Sequence, residues 1–198
     1  GLTTLESYRL VVIGYAVMGG LLGWLFTRLS PAVEVSASVH PSASPVQKKS
    51  FLGLHRSRKV VVKLSALFSL DAFAGGFIIQ SMMAYWFHVR FGVQPALLGG
   101  IFFGANILAG LSALAAARVA SKIGLIRTMV FTHIPSNILL ILVPLMPTLP
   151  LAITVLLLRF SISQMDVPTR QSYTMAVVDP DERSAAAGLT GIARTTGA

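Results

Sequence analysis

Four stretches of this chain carry no Asp, Glu, Lys or Arg: Leu10 to Thr27, Ala72 to Val89, Phe91 to Ala117, and Thr128 to Leu158. A helix that crosses a bilayer needs roughly 20 mostly apolar residues, so each run can supply one crossing and the last can supply part of another. Because lipid offers no partner to a bare backbone N–H or C=O, such runs must be helices. Composition agrees. Of 198 residues, 54% are hydrophobic and 12% charged, against about 25% charged in a typical soluble domain. The mean hydropathy is +0.74. The expected fold class is an all-α membrane protein, a polytopic helical bundle. The first run lacks a basic leader and an A-x-A-like site, so it is expected to be a span and not a cleaved signal.

Five spans can be drawn, at about Tyr8–Thr27, Leu64–Phe87, Pro95–Ala117, Arg127–Met146 and Leu151–Val178. The hinge "PLMPTLP" splits the longest run, because clustered prolines cannot continue a helix. A sixth helix begins at "DPDERSAAAGL". Asp179 suits an N-cap, Pro180 the first helical position, and Glu182 completes a capping-box pattern. That helix is still running at Ala198, and Gly1 lies only a few residues before the first span. The chain is therefore expected to be a piece of a longer protein.

The basic residues cluster in alternate loops. Arg28, Lys48, Lys49, Arg56, Arg58, Lys59 and Lys63 lie between the first two spans; Arg118, Lys122 and Arg127 lie between the third and fourth; Arg183 follows the fifth. The other side holds Arg9 and Arg90. The positive-inside rule places the basic loops in the cytoplasm. This accounts for the net charge of +9 without a nucleic-acid partner; the lipid bilayer is the partner the composition demands. Ser30 to Arg58 is rich in Ser, Pro and Ala and reads as a flexible linker. Its end, "KKSFLGLHRSRK", reads either as a solvated basic loop or as a segment lying on an anionic membrane surface.

With zero cysteines, disulfides, thiolate metal sites and Cys nucleophiles are excluded. His40, His55, His88 and His133 are scattered without metal-ligand spacing, so no metal site is expected. No cofactor motif and no catalytic constellation appears, and the chain is not expected to be an enzyme.

Ionisable residues inside spans cost about 2.5–3.5 kcal/mol each and usually face a bundle interior or a polar cavity. The fifth span holds Arg159, Asp166 and Arg170. On a continuous helix they share a stripe within about 20° of Arg159, with Ser163 at about 40°. Asp166 and Arg170 are also spaced i, i+4 in the favourable order for a structural ion pair, and Arg170 could snorkel to the interface. Pro168 frees the carbonyl of Gln164, which predicts a kink. In the second span Asp71 is either a proton-titrating or solute-contacting carboxylate, or an inter-helix partner. Gln80 and Asn106 either bond a neighbouring helix or contact solute. Gly99, Gly100, Gly104 and Gly110 predict close helix packing. Tyr85, Trp86 and His88 mark the opposite interface.

These residues resemble a known family. "ARVASKIGLIRTM" is similar to the loop signature G-x-L-A-D-R-x-G-R-K of the major facilitator superfamily: Lys122, Gly124 and Arg127 match, while Ala117 and Ser121 replace its first Gly and its Asp. "DPDERSAAAGLTGIAR" looks like the family element P-x-x-E-R-x-x-A-x-G-L. "LLLRFSISQMD" carries an intramembrane Arg at Arg159, with Ser163 where the family has Gly. The resemblance implies the sixth helix through the start of the eleventh: residues 1–29 closing the first half, 30–63 the central cytoplasmic linker, and 64–198 part of the C-terminal half. It further implies a multi-pass protein of the plasma or inner membrane, a bacterial proton-coupled exporter of small organic or drug-like solutes. Its partners would be the solute, H+ and the missing N-terminal half. Arg159 would couple or orient, with Asp166 and Asp71 as protonation candidates and Arg170 beside them. Gln80, Asn106 and Ser163 would contact solute, and Lys122, Gly124, Arg127, Glu182 and Arg183 would form the gating loop. The alternative is a membrane sensor or scaffold of transporter ancestry.

Overall fold

The computed structural model describes residues 4–29 and 53–197. Most of the expected linker, with Lys48, Lys49, Phe51 and Leu52, lies outside the described residues. The chain divides into two units, Gly1–Val46 and Gln47–Ala198. The described part of the first is one helix, α1 (Thr4–Thr27). It is apolar on every side, the pattern of a helix with no aqueous face. Arg28 stacks its guanidinium 4.9 Å from the Trp24 ring centre, an aromatic and basic pair of the kind that anchors a span at an interface.

The second unit contains α2 (Arg58–Gly76), α3 (Gln80–Phe91), α4 (Pro95–Ile123), α5 (Leu125–Leu142), α6 (Leu149–Ser163), α7 (Asp166–Val177) and α8 (Arg183–Gly197). Among the described residues there is no strand, and five helical stretches are long and apolar enough to cross a membrane. They correspond to the five expected spans, but two of these are broken.

The second span is not one helix. It stops at Gly75–Gly76, runs through an extended Ile79 (ψ 156°) and restarts as Met82 and Met83 donate to the Ile79 carbonyl at 3.1 and 3.2 Å. Paired glycines, each about 1 kcal/mol poorer than Ala in a helix, are the local cause. The same span begins earlier than expected, at Arg58, so residues 58–63 are helical. The fifth span breaks where Pro168 predicts: without an N–H on Pro168 the Gln164 carbonyl loses its helical partner, and Gln164 turns to φ −97°, ψ 2°. Pro135 sits inside α5 without stopping it.

Small side chains bring the helices together. α4 buries Ala105, Ala109, Ser112 and Ala116 along one stripe, packed chiefly on α6 and also on α5 and α7. The buried stripe of α5 is Thr128, Thr132 and Ser136, and the hydroxyls of Thr128 and Thr132 bond the carbonyl four residues back at 2.8 Å. Thus these two threonines are satisfied within their own helix while backbones approach. The glycines of α4 do not serve this packing, contrary to expectation. A Cβ built at Gly99, Gly100, Gly104 or Gly110 meets no atom within 4 Å; these residues lie off the buried stripe. α2 packs along α8, so closely that a Cβ at Gly197 would lie 2.5 Å from the Ser69 carbonyl oxygen.

Apolar clusters close both ends of the bundle. At one, Phe87, Val93, Ile101, Phe102, Val143, Ala152 and Leu156 are buried, with Trp86 and Phe91 in edge contact at 5.4 Å. At the other, Leu54 and Val61 pack on Val178 and Ala186. Large apolar side chains such as Phe103, Leu114, Phe131 and Ile141 are exposed, as lipid-facing positions should be.

The α4–α5 turn depends on Gly124, which takes φ 90°, ψ 156°, a region closed to side chains with a Cβ. Gly124→Ala is expected to destabilise the bundle by about 1–3 kcal/mol, the cost of such strain. Denaturant unfolding in detergent measures it, and an unchanged midpoint would contradict the geometry.

Candidate functional site

The charged residues of three helices converge beside the two helix breaks. Arg170 on α7 directs Nη1 to Asp71 Oδ2 of α2 at 2.9 Å and Nη2 to Asp166 Oδ2 one turn earlier on its own helix. His133 of α5 completes the circuit: Nε2 lies 3.3 Å from Asp71 Oδ1 and Nδ1 3.7 Å from Asp166 Oδ2. Two carboxylates are therefore bridged by two bases, and the Arg170 guanidinium rests 5.0 Å from the Phe68 ring centre. Burial is graded: the Arg170 and Asp166 side chains are 11% and 9% exposed, whereas His133 and Asp71 are 41% and 34% exposed. The His133–Asp71 side of the circuit is thus the more exposed one.

The backbone explains the convergence. Asp71 sits on α2 five residues before the span breaks at Gly76. Asp166 is the first residue of α7, just past the break at Gln164, and its main-chain carbonyl accepts from Thr169 at 2.9 Å. Irregular backbone at membrane depth is tolerated where it is enclosed by protein or lines a polar cavity. Here it adjoins Asp166 and follows Asp71 by five residues.

The break also separates residues expected together. Arg159 and Ser163 precede it on α6, and the reset of helical phase takes both out of the circuit. Arg159 has no carboxylate partner among the described residues; its Nε and the Ser163 Oγ are buried without a hydrogen bond, and its guanidinium lies 5.1 Å from the Phe160 ring centre. Gln80 is exposed at the start of α3. Asn106 turns back on its own helix, donating from Nδ2 to the Phe102 carbonyl at 2.8 Å. The sequence offers His133 only as one of four scattered histidines and not as a site residue, because a lone His on an apolar helix carries no spacing signal. Its one clue is its place inside a charge-free run.

The whole chain, residues 1–198, matches the model of the Major Facilitator Superfamily. The chain belongs to this superfamily. It is 26% identical to "Uncharacterized membrane protein YJR124C" of Saccharomyces cerevisiae, over 98% of this chain and 48% of the yeast protein. The chain therefore spans about half the length of the curated relative it matches, and that relative is fungal. No solved structure matches it significantly.

In this superfamily member the loop residues are arranged differently from the local motif. Lys122 and Arg127 are exposed on either side of Gly124, and Arg183 Nε donates to the Met175 carbonyl at 3.0 Å. Glu182 does not close a capping box with Asp179. Its carboxylate reaches across the fold and accepts the backbone N–H groups of His55, Arg56 and Ser57 at 2.7, 2.8 and 2.8 Å. His55 Nδ1 also lies 2.8 Å from Glu182 Oε1, and His55 Nε2 3.3 Å from Asp181 Oδ2. The Asp179 N–H donates to Ser57 Oγ at 3.1 Å. The long-range partners win because three parallel N–H groups satisfy a buried carboxylate better than one cap can.

Burial alone would push the Glu182 carboxyl upward; the three N–H donors overcome this and hold it at about 2 instead of 4.5. A carboxyl depressed on folding contributes stability that is full above its unfolded value and is lost as pH falls through its folded value. Amide-exchange protection of residues 55–57 should therefore be complete at neutral pH, decline below about 4.5 and vanish near 2. Glu182→Ala should expose the same amides at every pH and speed tryptic cleavage after Arg56; unchanged protection in this variant would refute the latch.

Proposed function

We propose that the full-length protein is a secondary active transporter that moves a small organic solute by alternating access, coupled to protons through the Asp71–His133–Asp166–Arg170 circuit. The observation that carries this is the position of the circuit next to breaks in two membrane helices; discontinuous helices of this kind are typical of transporter binding sites. Two carboxylates and one guanidinium leave one negative charge, so a single proton neutralises the group. Both ring nitrogens of His133 face a carboxylate, and only the imidazolium can offer a proton to each. His133 therefore joins Asp71 and Asp166 as a protonation candidate, with Arg170 holding the acids in place. Arg159 and Ser163 are available to orient solute, and Gln80 to meet it at the α2–α3 break. Asn106, bonded to its own helix, is the weaker contact.

The loop end with Lys122, Gly124 and Arg127 and the Glu182 latch lie on the same side of the bundle. We place that side in the cytoplasm on the positive-inside rule, and the protein in the plasma or inner membrane. The missing N-terminal half would complete the translocation path, so this chain alone should not transport. Export as the direction rests on the family resemblance.

The test is solute flux by the full-length protein in proteoliposomes under an imposed pH gradient. Asp166→Asn and His133→Gln should lower gradient-driven flux about 5–150-fold, the range of a typical coupling energy, while solute exchange without a gradient persists. No flux of any solute, with or without a gradient, would sink transport and favour a sensor or scaffold. In full-length protein freed of any cysteine outside this cysteine-free chain, a single Cys at Ser121 should react only with a cytoplasmic-side reagent and one at Thr148 only from outside. The reverse would overturn the topology.

A further inference from the structure

The circuit borders a cavity. Between α2, α7 and α8 lies a space of about 340 Å³ walled by Phe68, Arg170, Thr174, Met175, Thr190 and Arg194, at the small end of the ~300–1,000 Å³ range of small-molecule sites. Its chemistry is lopsided. The two ionisable side chains on its wall are both guanidinium groups, and no carboxylate lines it. The hydroxyls of Thr174 and Thr190 are already bonded to the carbonyls of Arg170 and Ala186 at 2.9 and 2.8 Å. Phe68 and Met175 give it an apolar side.

Arg194 is the telling residue. It lies eleven residues past Arg183, the start of α8, about 16 Å along the helix axis. Arg194 is exposed where it meets the cavity, and it has no acidic partner and no side-chain hydrogen bond among the described residues. Arg170, by contrast, uses two of its five N–H donors on Asp71 and Asp166; its charge is compensated, but donors remain. The Arg194 cation and the spare Arg170 donors therefore face a space whose remaining wall is apolar apart from the Gln171 amide and the two bonded hydroxyls. The groups around Arg170 are Asp71 from α2, His133 from α5, Asp166 on α7 and Arg194 from α8. The buried face of α4 contributes only Ala and Ser between Ala105 and Ala116.

We propose that this cavity is the solute site and that it takes a small organic monoanion, its carboxylate held between Arg170 and Arg194 and its apolar part against Phe68 and Met175. Once the circuit carries the proton that neutralises it, Arg194 adds one positive charge at this wall, which matches a single carboxylate, and the planar fork of a guanidinium suits it. The cargo assignment rests on the transport reading, but occupancy of the cavity can be measured without flux.

The experiment is thermal unfolding and equilibrium binding of the full-length protein in detergent, with benzoate and hexanoate as anionic probes and benzamide and benzylamine as neutral and cationic counterparts. Benzoate or hexanoate should bind and raise the melting temperature, and the counterparts should not. Arg194→Gln should weaken the anion about tenfold or more, the loss of one charge-assisted bond, and Arg194→Lys should restore part of it. Arg194 is outside the ion-pair circuit, so its substitution should leave folding intact, as the probe-free melting temperature will report. Equal binding of benzamide, an unchanged affinity in Arg194→Gln, or no anion binding up to about 10 mM, a free energy of only about 3 kcal/mol, would each overturn the proposal. Anion binding without any flux would leave the site standing and remove the transport reading; neutral-solute flux without anion binding would do the opposite.

Discussion

Arg170 is the centre on which the polar architecture turns. One guanidinium holds a carboxylate from α2 and another from its own helix, and each charge is tolerable at membrane depth because the others are present. If Arg170 were apolar, two acids would face each other across a helix interface with only His133 between them. If either acid were absent, the cation would be partly unpaired in a bundle that offers few other acceptors. The circuit thus binds α2, α5 and α7 by charge, where lipid supplies no hydrophobic drive for helices to associate.

Around that centre the bundle is assembled by close approach and not by bulk. Ala105, Ala109, Ser112 and Ala116 of α4 meet neighbours that are themselves lined by Thr and Ser. The hydroxyls of Thr128 and Thr132 are bonded to their own helix where these faces meet, whereas the Ser112 hydroxyl is buried without a partner. The larger apolar side chains gather at the two ends of the bundle or point outward. The break before α7 removes the helical partner of the Gln164 carbonyl two residues before Asp166.

Much of this was legible in the sequence, and the residues show why. The five crossings follow from apolar length, since no other backbone state survives in lipid. The Asp166–Arg170 pair follows from i, i+4 spacing, a purely local relation. Pro168 pointed to the break at Gln164 for an equally local reason, a missing N–H. The error lay in carrying the Arg159 stripe through that break. A helical wheel assumes unbroken phase, and the turn at Gln164 and Met165 cancels it. The glycines of α4 misled in a similar way, because small residues mark a face that permits approach and not the face that is approached. Glu182 fits a capping box by spacing, yet its carboxylate is taken by backbone donors more than 120 residues away in the chain.

What the sequence determined by itself is therefore the class, the spans, the sidedness pattern of charge and the local pairs, because each depends on residues within one or two helical turns. What only the tertiary structure decided is which charges meet: Asp71 with Arg170, His133 with both acids, Glu182 with the segment before α2, and Arg194 with a cavity instead of a partner. Those relations join helices that are distant in the chain. No periodicity encodes them, since a span's apolar pattern says that a side chain faces inward but not which neighbour it will find there.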